Sequence, residues 1–157
     1  MVKKTTLLPF VSVVTLNWNG ERFLKKLLPL LEKQSYPRGR FEVIVVDNFS
    51  TKDNSREFVK KSFPNAQLIE NDHNAGFTGG MNLGMQHTKG DYIILINNDT
   101  QPDKDWLAQL VDCAVRNKAG AVMPKLLFAH RGKGDVINNA GSVLYPDRTW
   151  PADRTCR

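Results

Sequence analysis

The 157 residues contain only two cysteines, Cys113 and Cys156, and three histidines, His73, His87 and His130. Two scattered cysteines make neither a disulfide framework nor a zinc cluster, and Cys113, inside a helical pattern, is expected at or near the core. No two histidines have the spacing of a zinc enzyme, so each reads as structural. No apolar run approaches the roughly 20 residues that span a bilayer as a helix. The stretch after Met1-Val-Lys-Lys is too short for a secretory signal, which makes the cytoplasm the expected location. The first strand is not followed by Gly-x-Gly-x-x-Gly, which counts against an ordinary dinucleotide enzyme. Gly-x-x-x-x-Gly-Lys-Ser/Thr is missing as well, which counts against a P-loop nucleotidase. Gly-x-Ser-x-Gly is missing, and no nucleophile stands beside a base.

What is present fits one globular domain, residues 1–157, with a core over about 9–144 and a tail, 145–157, expected to be poorly ordered. Lys and Arg outnumber Asp and Glu by 22 to 16, a net charge of +6. The cations are spread in pairs such as Lys3-Lys4, Lys25-Lys26 and Lys60-Lys61, the pattern of solvated faces. Such an excess suits nucleotide phosphates, an anionic membrane surface or nucleic acid and by itself selects none of them. Nucleic acid is not expected, because aromatics are not interleaved with the basic residues as a stacking platform requires.

Strand and helix patterns alternate, which predicts an α/β fold with a mostly parallel, doubly wound sheet. Strands are expected over residues 10–16, 41–46, 67–70, 92–96 and 121–128, the last interrupted by Pro124, with one or two short strands over 136–144. Helices are expected over 21–33, 50–62, 79–87 and 102–117. Asn19 is placed to cap the first helix, which Pro29 should kink or shorten. Ser50-Thr51-Lys52-Asp53 and Thr100-Gln101-Pro102-Asp103 look like capping sequences for the second and fourth. The apolar run from Tyr92 to Ile96 predicts a strand buried on both faces.

Three polar clusters follow strands: Asn17-Trp18-Asn19-Gly20, Asp47-Asn48-Phe49-Ser50 and Asn97-Asn98-Asp99. Ligands gather outside the carboxyl ends of strands in open α/β sheets, so three such turns in succession point to a polar ligand site. Two roles compete for the last cluster: a cap for the next helix, or a lone carboxylate flanked by amides that holds a metal ion on a phosphate. Gly76-Phe-Thr-Gly79-Gly80-Met-Asn82 also has two readings. One is close backbone approach to a phosphate or sugar at a helix N-terminus, and the other is a tightly packed helix start.

Taken in order, Val-Ser-Val-Val-Thr-Leu-Asn17-Trp-Asn19-Gly, Val-Ile-Val-Val-Asp47-Asn48-Phe-Ser50, Asn74-Ala-Gly76-Phe-Thr-Gly79-Gly-Met-Asn82 and Asn97-Asn98-Asp99 resemble the motifs of family-2 glycosyltransferases. The rhamnosyltransferase-like subgroup is the most similar. The resemblance covers nearly the whole chain and implies a three-layer α/β/α, Rossmann-like GT-A fold. It implies transfer of a sugar, with inversion, from a nucleotide-diphosphate donor such as dTDP-rhamnose or a UDP-sugar to a glycan or lipid-linked acceptor, hence polysaccharide biosynthesis. It also implies that Asn17 and neighbouring backbone line the nucleoside pocket and that Asp47 accepts from the base, with Asn19, Asn48 and Ser50 among the residues that bind the nucleotide sugar. Asn74, Gly76 and Asn82 would lie near ribose, diphosphate or sugar, Gly79 would also bind the nucleotide sugar, and Asn97 and Asn98 would bind it from the place of the family's Asp-x-Asp. Asp99 would hold Mg²⁺ or Mn²⁺ on the diphosphate.

Asn97 stands where many members carry a first acid, which leaves one carboxylate. The family's catalytic base and acceptor half normally lie well beyond this region, and Asp135, Asp147 and Asp153 sit in no recognisable base motif. No base is assigned, and donor binding without turnover is the alternative. A sheet short of covering elements would leave an exposed edge, which predicts a tendency to dimerise. Peripheral contact with the inner face of a membrane is compatible with the charge.

Overall fold

The computed structural model describes residues 8–128 and 136–140. The expected tail, the candidate acids Asp135, Asp147 and Asp153, and His130 and Cys156 lie outside them. The chain divides into two compact units, Met1–Val111 and Asp112–Arg157.

In the first unit, β1 (Val11–Asn17), β2 (Phe41–Asp47), β3 (Gln67–Glu70) and β4 (Tyr92–Asn97) form one sheet in the order β3-β2-β1-β4. Every pairing is parallel. Asn17 is level with Asp47, and Asp47 with Glu70. All four strands therefore end at the same edge of the sheet, and the turns that follow them meet there.

Helices cover both faces, as a parallel sheet requires. α1 (Glu21–Glu32) buries Leu24, Leu27, Leu28 and Leu31, one apolar stripe at helical spacing. These residues pack with Val11, Val13, Val43 and Val45 of the sheet, Val59 of α2 (Ser55–Ser62), and Leu107 and Val111 of α4 (Trp106–Asn117). The opposite face carries Val14, Ile44 and Val46 beneath Met81 of α3 (Gly76–Gln86). Alternate residues of β1 thus serve opposite cores, which is why it reads as an unbroken apolar run. α3 lies close to the sheet through glycine. A Cβ at Gly84 would stand 2.5 Å from Cγ1 of Val14 and 2.8 Å from Cγ2 of Val46.

Several expectations are corrected. Pro29 does not shorten α1, which continues to Glu32. α2 starts at Ser55 and α4 at Trp106, because Ser50 and Thr100 close turns instead of capping helices. α3 starts at Gly76, three residues before the expected start, so Gly76 belongs to the helix and not to a loop. β4 is not buried on both faces. It is an edge strand among the described residues, with Ile93 45% and Leu95 49% exposed. α3 covers β1 and β2 and leaves these two side chains open.

In the second unit, β5 (Leu126–Leu127) pairs antiparallel with β6 (Ile137–Asn139). The strand expected over 121–128 is reduced to these two residues by Pro124. Cys113 is exposed and not in the core.

Candidate functional site

The turn after β1 is held to the turn after β2 by a set of hydrogen bonds. The Asn48 backbone N–H donates to the Asn17 carbonyl at 2.7 Å. Asn17 Nδ2 donates to Asp47 Oδ1 at 3.1 Å and to Ser50 Oγ at 3.2 Å. Ser50 Oγ also accepts from the Asn19 N–H at 2.8 Å. Asn19 does not cap α1; at φ 49° its Oδ1 reaches across to accept from the N–H groups of Thr51 and Lys52, each at 2.9 Å. Asn can take this left-handed backbone because its short amide bonds locally. α1 begins after Gly20 with no side-chain cap.

Asp47 is only 1% exposed, and protein donors occupy both carboxylate oxygens. Oδ1 receives Asn17, while Oδ2 receives the Ser50 N–H at 3.0 Å and Arg56 Nε at 2.5 Å. Burial pushes its pKa up, but the hydrogen bonds from Ser50, Arg56 and Asn17 outweigh it and hold the carboxyl below its ordinary value. The same contact with Asp47 raises Arg56. Arg56 continues to Glu70 at the end of β3, at 3.5 Å. In this structure Asp47 therefore joins strand ends.

Asn48 does the same on the other side. Its Nδ2 donates to Asn74 Oδ1 at 2.8 Å and to the Gly76 carbonyl at 3.0 Å. Its Oδ1 accepts from Asn71 Nδ2 at 3.0 Å and from the Ala75 N–H at 3.1 Å. Asn74 Oδ1 also takes the Gly76 N–H at 2.9 Å, which fixes the start of α3. The φ of 70° at Gly76 is a left-handed backbone that glycine adopts without strain.

The turn after β4 joins through Asn98, whose Nδ2 donates to Asn17 Oδ1 at 3.1 Å. Thr100 Oγ1 closes the turn onto the Asn97 carbonyl at 2.7 Å. Asp99 is exposed, and its carboxylate has no hydrogen bond or ion pair among the described residues. Beside it opens a cavity of about 250 Å³ lined by Leu16, Trp18, Phe23, Phe77, Asn97, Asn98 and Asp99. Trp18 and Phe77 at its walls are 57% and 59% exposed.

The expected residues thus divide. Asn17, Asn19, Asp47, Asn48, Ser50 and Asn74 brace one another, while Asn97, Asn98 and Asp99 line the cavity. Gly79 and Asn82 lie further along α3, Asn82 on its exposed side. The sequence reading missed Arg56, Asn71, Phe23 and Phe77. Asn71 follows β3 directly and carried the same post-strand signal as the other turns; Arg56, nine residues after Asp47, carried none. No group of three or more His, Cys, Asp or Glu forms a closed metal cluster among the described residues. An unpartnered carboxylate at the mouth of a cavity does fit a hard cation that takes its other oxygens from a diphosphate.

The sequence profile of glycosyl transferase family 2 matches residues 12–142. The chain belongs to this family. It is 32% identical over 106 residues to the glycosyltransferase AglE of Haloferax volcanii, covering 66% of the chain and 34% of AglE. It is 30% identical over 99 residues to the poly(ribitol-phosphate) β-N-acetylglucosaminyltransferase TarS of Staphylococcus aureus, covering 61% of the chain and 17% of TarS. Among solved structures it resembles the mannosyltransferase PcManGT of Pyrobaculum calidifontis, in complex with GDP-Man and Mn²⁺. That match has a TM-score of 0.64 and 28% identity, and covers 69% of this chain and 33% of the other. TarS residues 1–349 in complex with UDP superimpose at a TM-score of 0.64 and 24% identity, covering 77% of this chain and 40% of the other. The parallel sheet flanked by helices is thus the GT-A fold. The chain spans about a third or less of the length of the two curated relatives. No helix among the described residues is long and apolar enough to cross a membrane.

Proposed function

We propose that this chain binds the nucleotide-diphosphate sugar of a glycosyltransferase reaction. The observation that carries the reading is the convergence of four post-strand turns on one edge, with Asp99 left free beside the cavity. The diphosphate lies at Asp99 and the start of α3, where the N–H groups of Phe77 and Thr78, after the Gly76 N–H taken by Asn74, have no intrahelical acceptor and favour anions. Asn97 and Asn98 border the same space, and Trp18 offers a ring for the nucleoside. Asn17, Asp47 and Ser50 act by fixing those turns.

A divalent cation, Mg²⁺ or Mn²⁺, held by Asp99 and donor oxygens, would offset the charge that builds on the departing diphosphate. The chain's own residues orient the donor and shield one side of it from water. Sugar transfer with inversion to a glycan or lipid-linked acceptor is the activity proposed for the whole protein, with a dTDP- or UDP-sugar as donor, at the cytoplasmic side of a membrane.

A second reading, donor binding without turnover, is supported by the cavity lining, where Asp99 is the one acid among the described residues. The uncovered Ile93 and Leu95 on edge strand β4 support the expected self-association. Calorimetry with dTDP, UDP and GDP, each with and without Mn²⁺, tests the main reading. Binding of at least one, strengthened by Mn²⁺, is expected; a folded sample that binds none overturns it.

A further inference from the structure

Phe49 is the residue of the β2 turn that the fold does not use. Its neighbours are fixed: Asn48 makes four side-chain hydrogen bonds, and Ser50 is held through both its N–H and its hydroxyl. With both sides pinned, Phe49 takes φ 69°, a left-handed conformation that is unfavourable for a bulky residue and easy for Gly or Asn. Phe49 belongs to neither hydrophobic core, and it is 41% exposed. The backbone strain is thus met by no gain from burial in the core.

Its place in the sheet indicates what the ring can meet. Phe49 follows β2 and Trp18 follows β1, and the hydrogen bonds from Asn48 to Asn17 and from Asn19 to Ser50 hold these turns side by side. Asp99 follows β4 on the far side of β1. From the turn of β4 to that of β2 is two strand spacings, about 10 Å, which is the reach of a nucleoside from its own diphosphate. A donor with its diphosphate at Asp99 and its nucleoside directed past Trp18 brings its base to Phe49.

We propose that Phe49 is a donor-binding residue, a ring at the sheet edge against which the nucleobase packs. The inference rests on the donor-binding reading. It assigns Phe49 to the base end of the ligand and leaves the diphosphate end to Asp99. A flat aromatic face tolerates several bases, so the ring supplies affinity for the base, and polar groups around it supply the choice among bases.

The test compares Phe49→Asn, Phe49→Tyr and the parent chain by thermal melting and by calorimetry. The probes are the nucleoside diphosphate that the parent binds best, and inorganic pyrophosphate with Mn²⁺. F49N removes the ring and relieves the backbone, so its melting temperature should equal or exceed the parent's. Its nucleotide affinity should fall about tenfold, the scale of one base–aromatic stack. Affinity for Mn²⁺-pyrophosphate should not change, and F49Y should keep the parent's affinity for both probes. Unchanged nucleotide binding in F49N overturns the inference while leaving donor binding intact. An equal loss for nucleotide and pyrophosphate also overturns it, because the residue would then act on the whole site. A folded parent that binds neither probe overturns the donor-binding reading and this inference with it.

Discussion

Asn98 Nδ2 lies 3.1 Å from Asn17 Oδ1, and this bond ties the turn that carries Asp99 to the end of the central strand β1. Asn17 passes the constraint on, since its own Nδ2 donates to Asp47 and Ser50. Substitution N98A would leave a buried acceptor on Asn17 without its donor and would release the β4 turn. The expected cost is about 1–2 kcal/mol, with nucleotide affinity reduced because the cavity wall loosens. Chemical denaturation and calorimetry on one preparation check it. Full nucleotide affinity in N98A would show that the bond has no part in binding.

Gly20 tests the same bond from the other side. A Cβ there would stand 2.6 Å from Asn17 Oδ1 and 2.6 Å from Asn98 Nδ2, the two atoms that form it. The backbone at Gly20, φ −121°, suits alanine, so space alone decides. G20A should destabilise the fold by about 1–3 kcal/mol and weaken nucleotide binding along with N98A. In the double variant the two losses should not add, because both break one contact.

Asp99 should behave in the opposite way. Its carboxylate is exposed and unpartnered among the described residues, so D99N should change stability by no more than about 0.5 kcal/mol. The gain in nucleotide affinity on adding Mn²⁺ should disappear. Calorimetry before and after chelation of the metal measures this. A Mn²⁺ effect of the parent's size in D99N would place the cation elsewhere.

Much of the sheet was legible because its order follows apolar periodicity. β1, β2 and β3 carry β-branched or apolar runs bounded by polar turns, and parallel pairing then sends those turns to one edge. β4 was misjudged because Tyr92-Ile-Ile-Leu-Ile reads the same whether or not a second layer covers it. The starts of α2 and α4 were misplaced because Ser and Thr bond turns as readily as they cap helices, and Ser50 and Thr100 close turns. Within residues 76–82, close packing shows at Gly80, where a Cβ would run into the side chain of Leu16. Asp47 was not legible as a buried brace. Its partner Arg56 is placed by the start of α2, which local pattern does not specify.

Acid should weaken the fold through Asp47. Its carboxyl is held below the ordinary value by Ser50, Arg56 and Asn17 against the effect of burial, so the folded state favours the charged form. The resulting stability is fully present above the ordinary carboxylate pKa and is lost as pH falls through the depressed folded value. Asp53, which takes the N–H groups of Glu21 and Ser55, is lowered in the same direction and adds to the effect. D47N removes the charge facing Arg56 and should cost about 2 kcal/mol near neutrality. Its stability should then decline less steeply than the parent's between neutral and strongly acid pH. Urea unfolding across that range compares the two slopes. Parallel curves would mean that Asp47 carries no pH-dependent stability, and that the charge pair with Arg56 is not what joins the ends of β2 and β3.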